Sequence, residues 1–525
     1  MNFNDRQSSL LRIFSGSLLQ CILCMGIIAM AIFSEQTFAH SDNNLVAHTQ
    51  EGKLQGIDLK AVHAWLGVPY AEQPVGQLRW KSPQPKKPWQ GIRKANQFGD
   101  ACMQIPPPFG PESALKNSPM SENCLTLNIW APKDASAKTH YPVMFWIHGG
   151  GFRLGASSLP LYDGSNLAKE GVIVVSINYR LGPFSVFTHP ALNEERQNDA
   201  MNFGLLDQIQ ALKWVNNNIA EFGGNKSNIT VWGESAGGVS VSYLMTSPLA
   251  KGLFSKAIMQ SGALSLPEYS RSEAVSNFKH QSPESMLSMD MKQLRELTSS
   301  DILALPLSKT ATMPIIDGVS LINKSQLTMA KGNYNKVPLL IGSNNYEAGF
   351  FPPAWSAALP KKMGALWLQA EALTDGYGTD KQTLKEKQLA TDIFATQPTR
   401  TFADSSAHSD MPTYRYYFQY LSPIDKGRIP GAIHTAEIPY VFGTLSDQYK
   451  QNPKDQGLSK TMMERWVQFA KTGTPNPQKL PNWPQYKPND NSKTLWSIGD
   501  DEKAIVEPNK KRLDFLEAHS DIQMN

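Results

Sequence analysis

Short apolar runs recur along this chain and alternate with segments whose apolar residues have helical spacing. Buried strands are predicted by the runs at 142–147, 172–177, 229–232, 257–259 and 337–341, and by an aromatic run at 414–420. Strands that are apolar throughout, rather than alternating with polar residues, are typical of a parallel sheet with helices on both faces. The pattern therefore predicts an α/β fold.

Helical periodicity is clearest after residue 200. Apolar residues at 205, 209, 212, 215 and 219 predict an amphipathic helix that ends at Gly223-Gly224. A second helix is predicted around 467–470, ending near Gly473. We expect short strands and turns between 45 and 80, with a turn at 67–71, and a helical excursion beside the sheet at 265–309.

The stretch at 228–238 carries the strongest chemical signal. It reads Asn-Ile-Thr-Val-Trp-Gly-Glu-Ser-Ala-Gly-Gly, and an apolar segment that can form a helix follows it. A strand, a tight turn with serine at its apex and a helix are the context that makes Gly-x-Ser-x-Gly a nucleophile elbow. Ser235 is therefore a candidate nucleophile, although the motif alone also occurs by chance.

Composition limits the possible partners and points to export. The net charge of +4 comes from 50 basic and 46 acidic residues, an excess too small and scattered to indicate a nucleic-acid partner. Arg6 and Arg12 precede an apolar segment at 18–33, and Thr37-Phe38-Ala39 offers a small-residue cleavage site. Residues 1–39 are therefore predicted to be a secretory signal peptide, and the alternative is an uncleaved membrane anchor. Residues 40–525 would then form one large exported domain, in the periplasm or outside the cell, touching a membrane only if the anchor is kept.

Two cysteines remain after the predicted cleavage. Cys102 and Cys124 in an exported chain predict a disulfide, although two unpaired buried thiols are the alternative. The enclosed loop contains a proline-rich stretch at 105–111, which predicts a surface loop without helix or strand.

A nucleophilic serine needs a base and an orienting acid, which in this sheet type follow it in the order serine, acid, histidine. Of the ten histidines, this order leaves His408, His434 and His519. His434 follows the aromatic strand in a loop, where a base belongs. Glu347 follows the predicted strand at 337–341, whereas Asp317 has the surroundings of a turn. The alternative is that Glu347 is an ordinary surface carboxylate, and chain order alone does not exclude this.

The glycine run at 148–151 suits an oxyanion hole. Glycines allow the backbone to approach a substrate with no Cβ in the way. A dinucleotide-binding fingerprint would need glycine where Leu154 stands. Neither a phosphate loop of the Gly-Lys-Ser/Thr type nor a His/Cys cluster with metal-ligand spacing occurs, so no cofactor or metal is expected.

These motifs together resemble those of the type-B carboxylesterases, the cholinesterase-like branch of the α/β-hydrolases. The resemblance runs from about residue 45 to 516 and is carried by the stretches at 67–71, 74–80, 121–125, 148–152, 178–182, 222–224 and 233–238. It implies the α/β-hydrolase fold, with a central, mostly parallel twisted sheet flanked by helices in a single large domain. It further implies hydrolysis of small-molecule esters without a cofactor.

Position by position, the resemblance implies a role for each matching residue. It assigns Ser235 as nucleophile, Glu347 as acid and His434 as base, with oxyanion N–H groups from Gly150, Gly151 and Ala236. It also implies a disulfide between Cys102 and Cys124 and a buried ion pair between Arg79 and Glu122.

The predicted reaction is ester hydrolysis through an acyl-enzyme. A base must be neutral, so activity is expected to fall below a pKa of about 6–7. One alternative is a lipase in which the loop at 103–123 acts as a lid. The other, from a different class, is a non-catalytic binding or adhesion protein on the same fold. Such proteins usually lose a member of the triad, and all three members are present here.

Overall fold

A mixed β-sheet runs through the computed structural model, which describes residues 45–519 except 109, 306–311 and 375–380. The predicted signal peptide, residues 1–39, lies outside the described residues. In chain order the strands of this sheet are β1 (Ile57–Asp58), β2 (Val62–Pro69), β3 (Thr126–Pro132), β4 (Tyr141–Ile147), β5 (Ile173–Ile177), β6 (Gly224–Glu234), β7 (Lys256–Gln260), β8 (Leu339–Asn344), β9 (Thr413–Phe418), β10 (Leu495–Ile498) and β11 (Glu502–Ile505).

The sheet is parallel at its centre and antiparallel at both edges. Its order is β11-β10-β9-β8-β7-β6-β4-β5-β3-β2-β1. All neighbours from β10 to β5 pair in parallel, and the outer pairs are antiparallel. The carboxyl ends of the central strands therefore meet at one edge, where the residues that follow β6, β8 and β9 converge.

Helices cover both faces of the sheet. They span Ser165–Lys169, Pro190–Glu195, Phe203–Asn218, Ala236–Thr246, Arg271–Gln281, Glu284–Leu287, Met291–Glu296, Ser299–Leu303, Ser325–Ala330, Pro353–Ala357, Leu359–Met363, Trp367–Ala372, Lys381–Thr391, Gln397–His408, Ile438–Phe442, Asp447–Lys450, Pro453–Thr472 and Lys510–Ala518. A π-helical turn, Asp392–Thr396, joins two of them. Short strands outside the main sheet lie at Val46–His48, Lys53–Gln55, Ile92–Lys94, Ala101–Cys102 and Met120–Ser121.

An aromatic cluster forms the core on one face of the sheet. Trp146 of β4 and Trp232 of β6 are register partners, and their rings lie 4.5 Å apart. Phe442 packs on both rings from the helix Ile438–Phe442. Large rings at paired positions bury much apolar area at the point where the central strands meet the helices.

The periodicity predictions are confirmed for the central elements. Each of the six predicted strands is present, with its ends shifted by a few residues. The helix predicted to end at 223 covers Phe203–Asn218 and continues as a 3-10 turn to a left-handed Gly223. The described part of the excursion at 265–309 forms four helices between Arg271 and Leu303, as expected.

Two local predictions are wrong. The stretch at 67–69 is not a turn but the end of β2, where Gly67 (φ +67°) produces a shift of register against β3. A bulge uses the left-handed glycine that suggested the turn. In the loop at 105–111, Pro111 begins a 3-10 helix, Pro111–Asn117, because proline suits the first helical position.

The helices of the described part of the chain were compared with the length and composition of membrane-spanning helices. No helix there has both the length and the apolar composition needed to cross a bilayer.

Candidate active site

Ser235 occupies a strained turn at the carboxyl end of β6. Its backbone has φ 54° and ψ −126°, and the helix Ala236–Thr246 begins at the next residue. The glycines around it are needed for close backbone contact: a Cβ on Gly233 would lie 2.5 Å from the carbonyl carbon of Gly237, and a Cβ on Gly237 would lie 1.9 Å from the carbonyl oxygen of Ile147. Strain at one solvent-accessible serine is typical of a functional position.

The glycine run lies directly beside this turn. A Cβ on Gly149 would come within 3.1 Å of the Ser235 Cβ. Gly150 and Gly151 have φ values of 99° and 62°, conformations that favour glycine. The backbone N–H groups of Gly150, Gly151 and Ala236 donate no hydrogen bond to any of the described residues. Three donors thus remain available next to the serine.

His148 supports the glycine run and is not a second base. Its ring stacks on Tyr179, and its Nδ1 lies 2.8 Å from the carbonyl oxygen of Gly149. Burial lowers the pKa of His148 to about 4 despite that backbone contact, so the imidazole is neutral. Tyr179 also donates a hydrogen bond to the His148 carbonyl, which ties the run to the core.

Glu347 and His434 form a buried pair. Glu347 Oε2 lies 2.6 Å from His434 Nδ1, and the two side chains are 0% and 3% exposed. The other carboxylate oxygen, Oε1, accepts hydrogen bonds from the Ser261 hydroxyl at 2.6 Å and the Asn344 N–H at 2.7 Å. A carboxylate held at both oxygens fixes the orientation of the imidazole.

The loop that carries His434 is docked on the residues before Glu347. Asn345 Oδ1 accepts a hydrogen bond from the Ala432 N–H, and the Tyr346 N–H donates to the Ala432 carbonyl. The ends of β8 and β9 are thereby connected, and two residues 87 positions apart meet.

A second carboxylate approaches the other ring nitrogen of His434. Glu234 Oε1 lies 3.3 Å from His434 Nε2 but makes no hydrogen bond. Within the described residues, the Ser235 hydroxyl makes no recorded hydrogen bond either. The imidazole therefore lies against the residue that precedes the serine, and its Nε2 is not hydrogen-bonded to the hydroxyl in this structure.

The two carboxylates decide the charge of the imidazole. Burial by itself lowers the pKa of His434, but the charges of Glu234 and Glu347 outweigh it and raise the pKa to about 9. This differs from the 6–7 expected from the sequence. Burial in turn raises the pKa of Glu234 well above its usual range, so the pair shares its protons.

Glu437 extends this buried acidic group. It accepts hydrogen bonds from Gln260 Nε2 at 3.0 Å and Asn344 Nδ2 at 2.7 Å, and burial together with the charge of Glu347 raises its pKa. Sequence reasoning gave Glu234 and Glu437 no role. Their one local signal is position, since Glu234 directly precedes the serine and Glu437 follows His434 by three residues.

Two aromatic residues cover the imidazole. The rings of Phe350 and Phe351 lie 5.6 and 5.7 Å from that of His434. Phe350 is 48% exposed, so an apolar surface faces solvent next to the imidazole.

The remaining candidates lie elsewhere. Asp317 caps a turn by accepting hydrogen bonds from the N–H groups of Val319, Ser320 and Leu321. His408 is exposed at the end of the helix Gln397–His408, and His519 is the last described residue. In the described part of the chain, neither histidine is hydrogen-bonded to Glu347 or Ser235.

Comparison with known proteins gives the family of this chain. The model of the carboxylesterase family matches residues 43–516. Para-nitrobenzyl esterase of Bacillus subtilis (strain 168) is 37% identical over 478 residues, covering 84% of this chain and 92% of the relative. Fumonisin B1 esterase of Sphingopyxis macrogoltabida is 36% identical, covering 89% and 90%. A solved structure of a PNB esterase superposes with a TM-score of 0.76 at 34% identity, covering 90% of this chain and 99% of that one.

The chain belongs to the carboxylesterase family. It is a carboxylic-ester hydrolase with the fold of the PNB esterases.

In this carboxylesterase, the first loop beside the site is pinned at its base. Cys102 and Cys124 are joined by a disulfide across 22 positions. Within the loop, Gln104 exchanges two hydrogen bonds with the backbone of Gly155, at 2.8 Å each, and Leu115 is buried. These contacts hold the described part of the loop against the rest of the domain. They do not favour the lipase alternative, in which the loop at 103–123 would be a lid.

Arg79 and Glu122 pair beside that disulfide. The guanidinium binds the carboxylate at 2.8 and 2.6 Å and donates to the carbonyls of Arg295 and Leu297. Both charged side chains are 8% exposed, and each of the four contacts above is a hydrogen bond. The pair therefore joins the loop base to the helices that follow β7.

Proposed function

We propose that this carboxylesterase works through a Ser235-Glu347-His434 triad and an acyl-enzyme intermediate. The single observation that carries the proposal is the buried Glu347–His434 pair, directed toward the strained turn of Ser235 and the glycine run. In it, His434 is the base, and Glu347 orients the imidazole and stabilises its protonated form.

The reaction proceeds in two steps, acylation of Ser235 and hydrolysis of the acyl-enzyme. Neutral His434 removes the Ser235 proton as the serine oxygen attacks the ester carbonyl, and the protonated imidazole then gives that proton to the departing alcohol. In the second step His434 takes a proton from water as the water oxygen attacks the acyl carbon. The protonated imidazole returns that proton to the Ser235 oxygen as the acyl–oxygen bond breaks, which releases the acid and the free serine. The N–H groups of Gly150, Gly151 and Ala236 bind the oxyanion, and each donor lowers the barrier by roughly 3 kcal/mol.

His434 has to change its contact for the first step. Its Nε2 lies 3.3 Å from Glu234 Oε1, and proton transfer requires it to turn toward the Ser235 hydroxyl. Catalytic hydrogen bonds that tighten only when substrate is bound are common. Nδ1 remains on Glu347 during such a rotation, because that carboxylate is held by Ser261 and Asn344.

The substrates are small-molecule esters with an apolar alcohol part. Phe350 supports this choice, because it exposes an aromatic surface beside the base that protonates the leaving alcohol. The name of one relative, para-nitrobenzyl esterase, describes an ester of an aromatic alcohol.

The enzyme acts outside the cytosol after removal of residues 1–39. The disulfide between Cys102 and Cys124 supports this, because such bonds persist in oxidising compartments.

Labelling with a fluorophosphonate tests the triad. One equivalent should react with the wild-type enzyme, and Ser235→Ala should remain unlabelled while its turnover falls roughly a million-fold. Urea unfolding should be little changed. Ser285→Ala, an exposed serine in the helix Glu284–Leu287, is the matched control and should behave as wild type. A Ser235→Ala enzyme that keeps a tenth of its turnover would exclude the serine from the mechanism.

A further inference from the structure

Lys387 is a buried cation that the proposed reaction does not use. It lies in the helix Lys381–Thr391 and is 7% exposed. Among the described residues it forms no ion pair, whereas Lys385, two positions earlier, lies 4.0 Å from Glu371. A buried ammonium without an anion is unfavourable unless its protons are hydrogen-bonded.

The ammonium of Lys387 binds the segment that follows Glu347. Its Nζ donates to the carbonyls of Ala348 and Phe351, at 2.8 Å each. Thr391, one helical turn later on the same face, accepts a hydrogen bond from the Ala348 N–H at 3.1 Å. Ala348 is thus held at both of its backbone groups by one helix.

This segment carries three side chains that meet His434. It begins as the 3-10 turn Glu347–Gly349, and Phe350 and Phe351 follow. A cation at the carboxyl end of a short helical turn stabilises its carbonyls, and here it adds to the hydrogen bond that the Ala348 carbonyl accepts from the Phe351 N–H at 3.3 Å. Burial lowers the pKa of Lys387, as expected for a cation whose hydrogen-bond partners among the described residues are carbonyls.

We propose that Lys387 is a positioning residue for ester hydrolysis: its ammonium holds residues 347–351 so that the Glu347 carboxylate meets Nδ1 of His434. The proposal rests on the triad given above. Lys387 touches neither substrate nor imidazole and acts through Glu347.

Lys387→Met tests this, because methionine keeps the length and apolar stem but removes both hydrogen bonds. Per active site titrated with fluorophosphonate, kcat should fall about 10- to 100-fold, the usual effect of a misplacement near 1 Å, with KM within about twofold. The acidic limb of the pH–rate profile should move to lower pH, since a looser Glu347 raises the pKa of His434 less. The other carboxylates near His434, Glu234 and Glu437, are unchanged in this variant.

Three further variants separate positioning from a general loss of folding. Lys385→Met, on the same helix, should keep the wild-type kcat and limb. In Lys387→Arg the guanidinium can still donate to both carbonyls, so the acidic limb of the pH–rate profile should lie where it does in the wild type. If Lys387→Met does not fold, Thr391→Val removes the other hydrogen bond to Ala348 and should give a smaller displacement in the same direction.

The proposal is overturned by a folded Lys387→Met enzyme with wild-type kcat and an unmoved limb. It is equally overturned if the Met and Arg variants lose only stability, or if a folded Thr391→Val leaves the limb unmoved when Lys387→Met does not fold. Failure of the triad is distinguishable, because wild-type enzyme would then not react with the fluorophosphonate at all.

Discussion

At the residue scale, His434 lies between two carboxylates that have different tasks. Glu347 is hydrogen-bonded to Nδ1 and to two further donors, so its position is fixed. Glu234 is close to Nε2 without a hydrogen bond, on the side from which the proposed nucleophile must be reached. A charge there favours protonated imidazole, which is the inactive form of a base.

Replacement of Glu234 by Gln should therefore move the pH dependence. Because only neutral His434 accepts a proton, kcat/KM rises as the pH passes upward through the pKa of His434. In the wild type this limb should lie well above pH 6.5, since the two carboxylates raise the pKa to about 9. Glu234→Gln removes one carboxylate and should shift the limb downward by about one pH unit.

The quantity to measure is the pH at which kcat/KM rises, not the value that kcat/KM reaches on its plateau. Glu194→Gln, an exposed residue of the helix Pro190–Glu195, provides the control and should leave the limb in place. A Glu234→Gln enzyme with the wild-type limb would mean that Glu234 is uncharged in the working enzyme.

At the element scale, the strand β6, its turn and the following helix depend on backbone contact rather than on side chains. Gly237 lies against the end of β4, and the space for a Cβ is taken by the backbone of Ile147 and His148. Backbone atoms of a central strand cannot move aside as the end of a flexible side chain can. The glycine is thus required both for the turn and for the position of the glycine run.

Gly237→Ala should consequently cost about 3 kcal/mol of unfolding free energy, the upper end for overpacking, and abolish most turnover. Gly457→Ala is the matched control, since this glycine lies within the helix Pro453–Thr472 and a Cβ there meets nothing within 4 Å. It should stabilise by about 0.5–1 kcal/mol. Urea unfolding and turnover per active site measure both, and equal effects of the two substitutions would contradict the argument.

At the scale of the whole molecule, buried charges connect the last helix to the sheet. Glu507 pairs with Arg400 and with Arg415 of β9, and Arg400 also binds Asp514 and Glu517 at 2.6 Å each. Arg512 pairs with Asp392 in the π-helical turn next to the Lys387 helix. Asp514 and Glu517 are partly exposed, whereas Glu507, Arg400 and Arg415 are buried. Removal of Glu507 would be costly, because it leaves the Arg415 guanidinium buried without its carboxylate.

Export is a prediction about the whole chain and has a simple mass test. The chain has four cysteines, and cleavage after Ala39 would remove Cys21 and Cys24. The purified enzyme should then have the mass of residues 40–525. Before reduction it should react with no thiol-alkylating reagent, and after reduction it should react with two equivalents. Peptides containing Cys21 or Cys24 in the mature protein would show instead that the segment is retained.

What the sequence could predict follows local physics. Apolar runs with strand length placed the central strands, and the glycines around Ser235 indicated the strained turn, because steric restrictions act between near neighbours in the chain. Chain order favoured His434 over its rivals, but it could not show that Glu347 is more than a surface carboxylate, since its burial against His434 is a property of the folded chain.

Only the tertiary structure decided what surrounds the imidazole. Glu234 lies 200 positions before His434, and Lys387, which holds the segment after Glu347, is also distant in the chain. Glu437 is only three residues away, but a single buried polar residue has no periodicity that marks it in a sequence. Their roles depend on distances of about 3 Å and on burial, and both arise only when the strands pair and the helices pack. For the same reason the raised pKa of His434 could not be predicted, since burial and facing charges exist only in the folded chain.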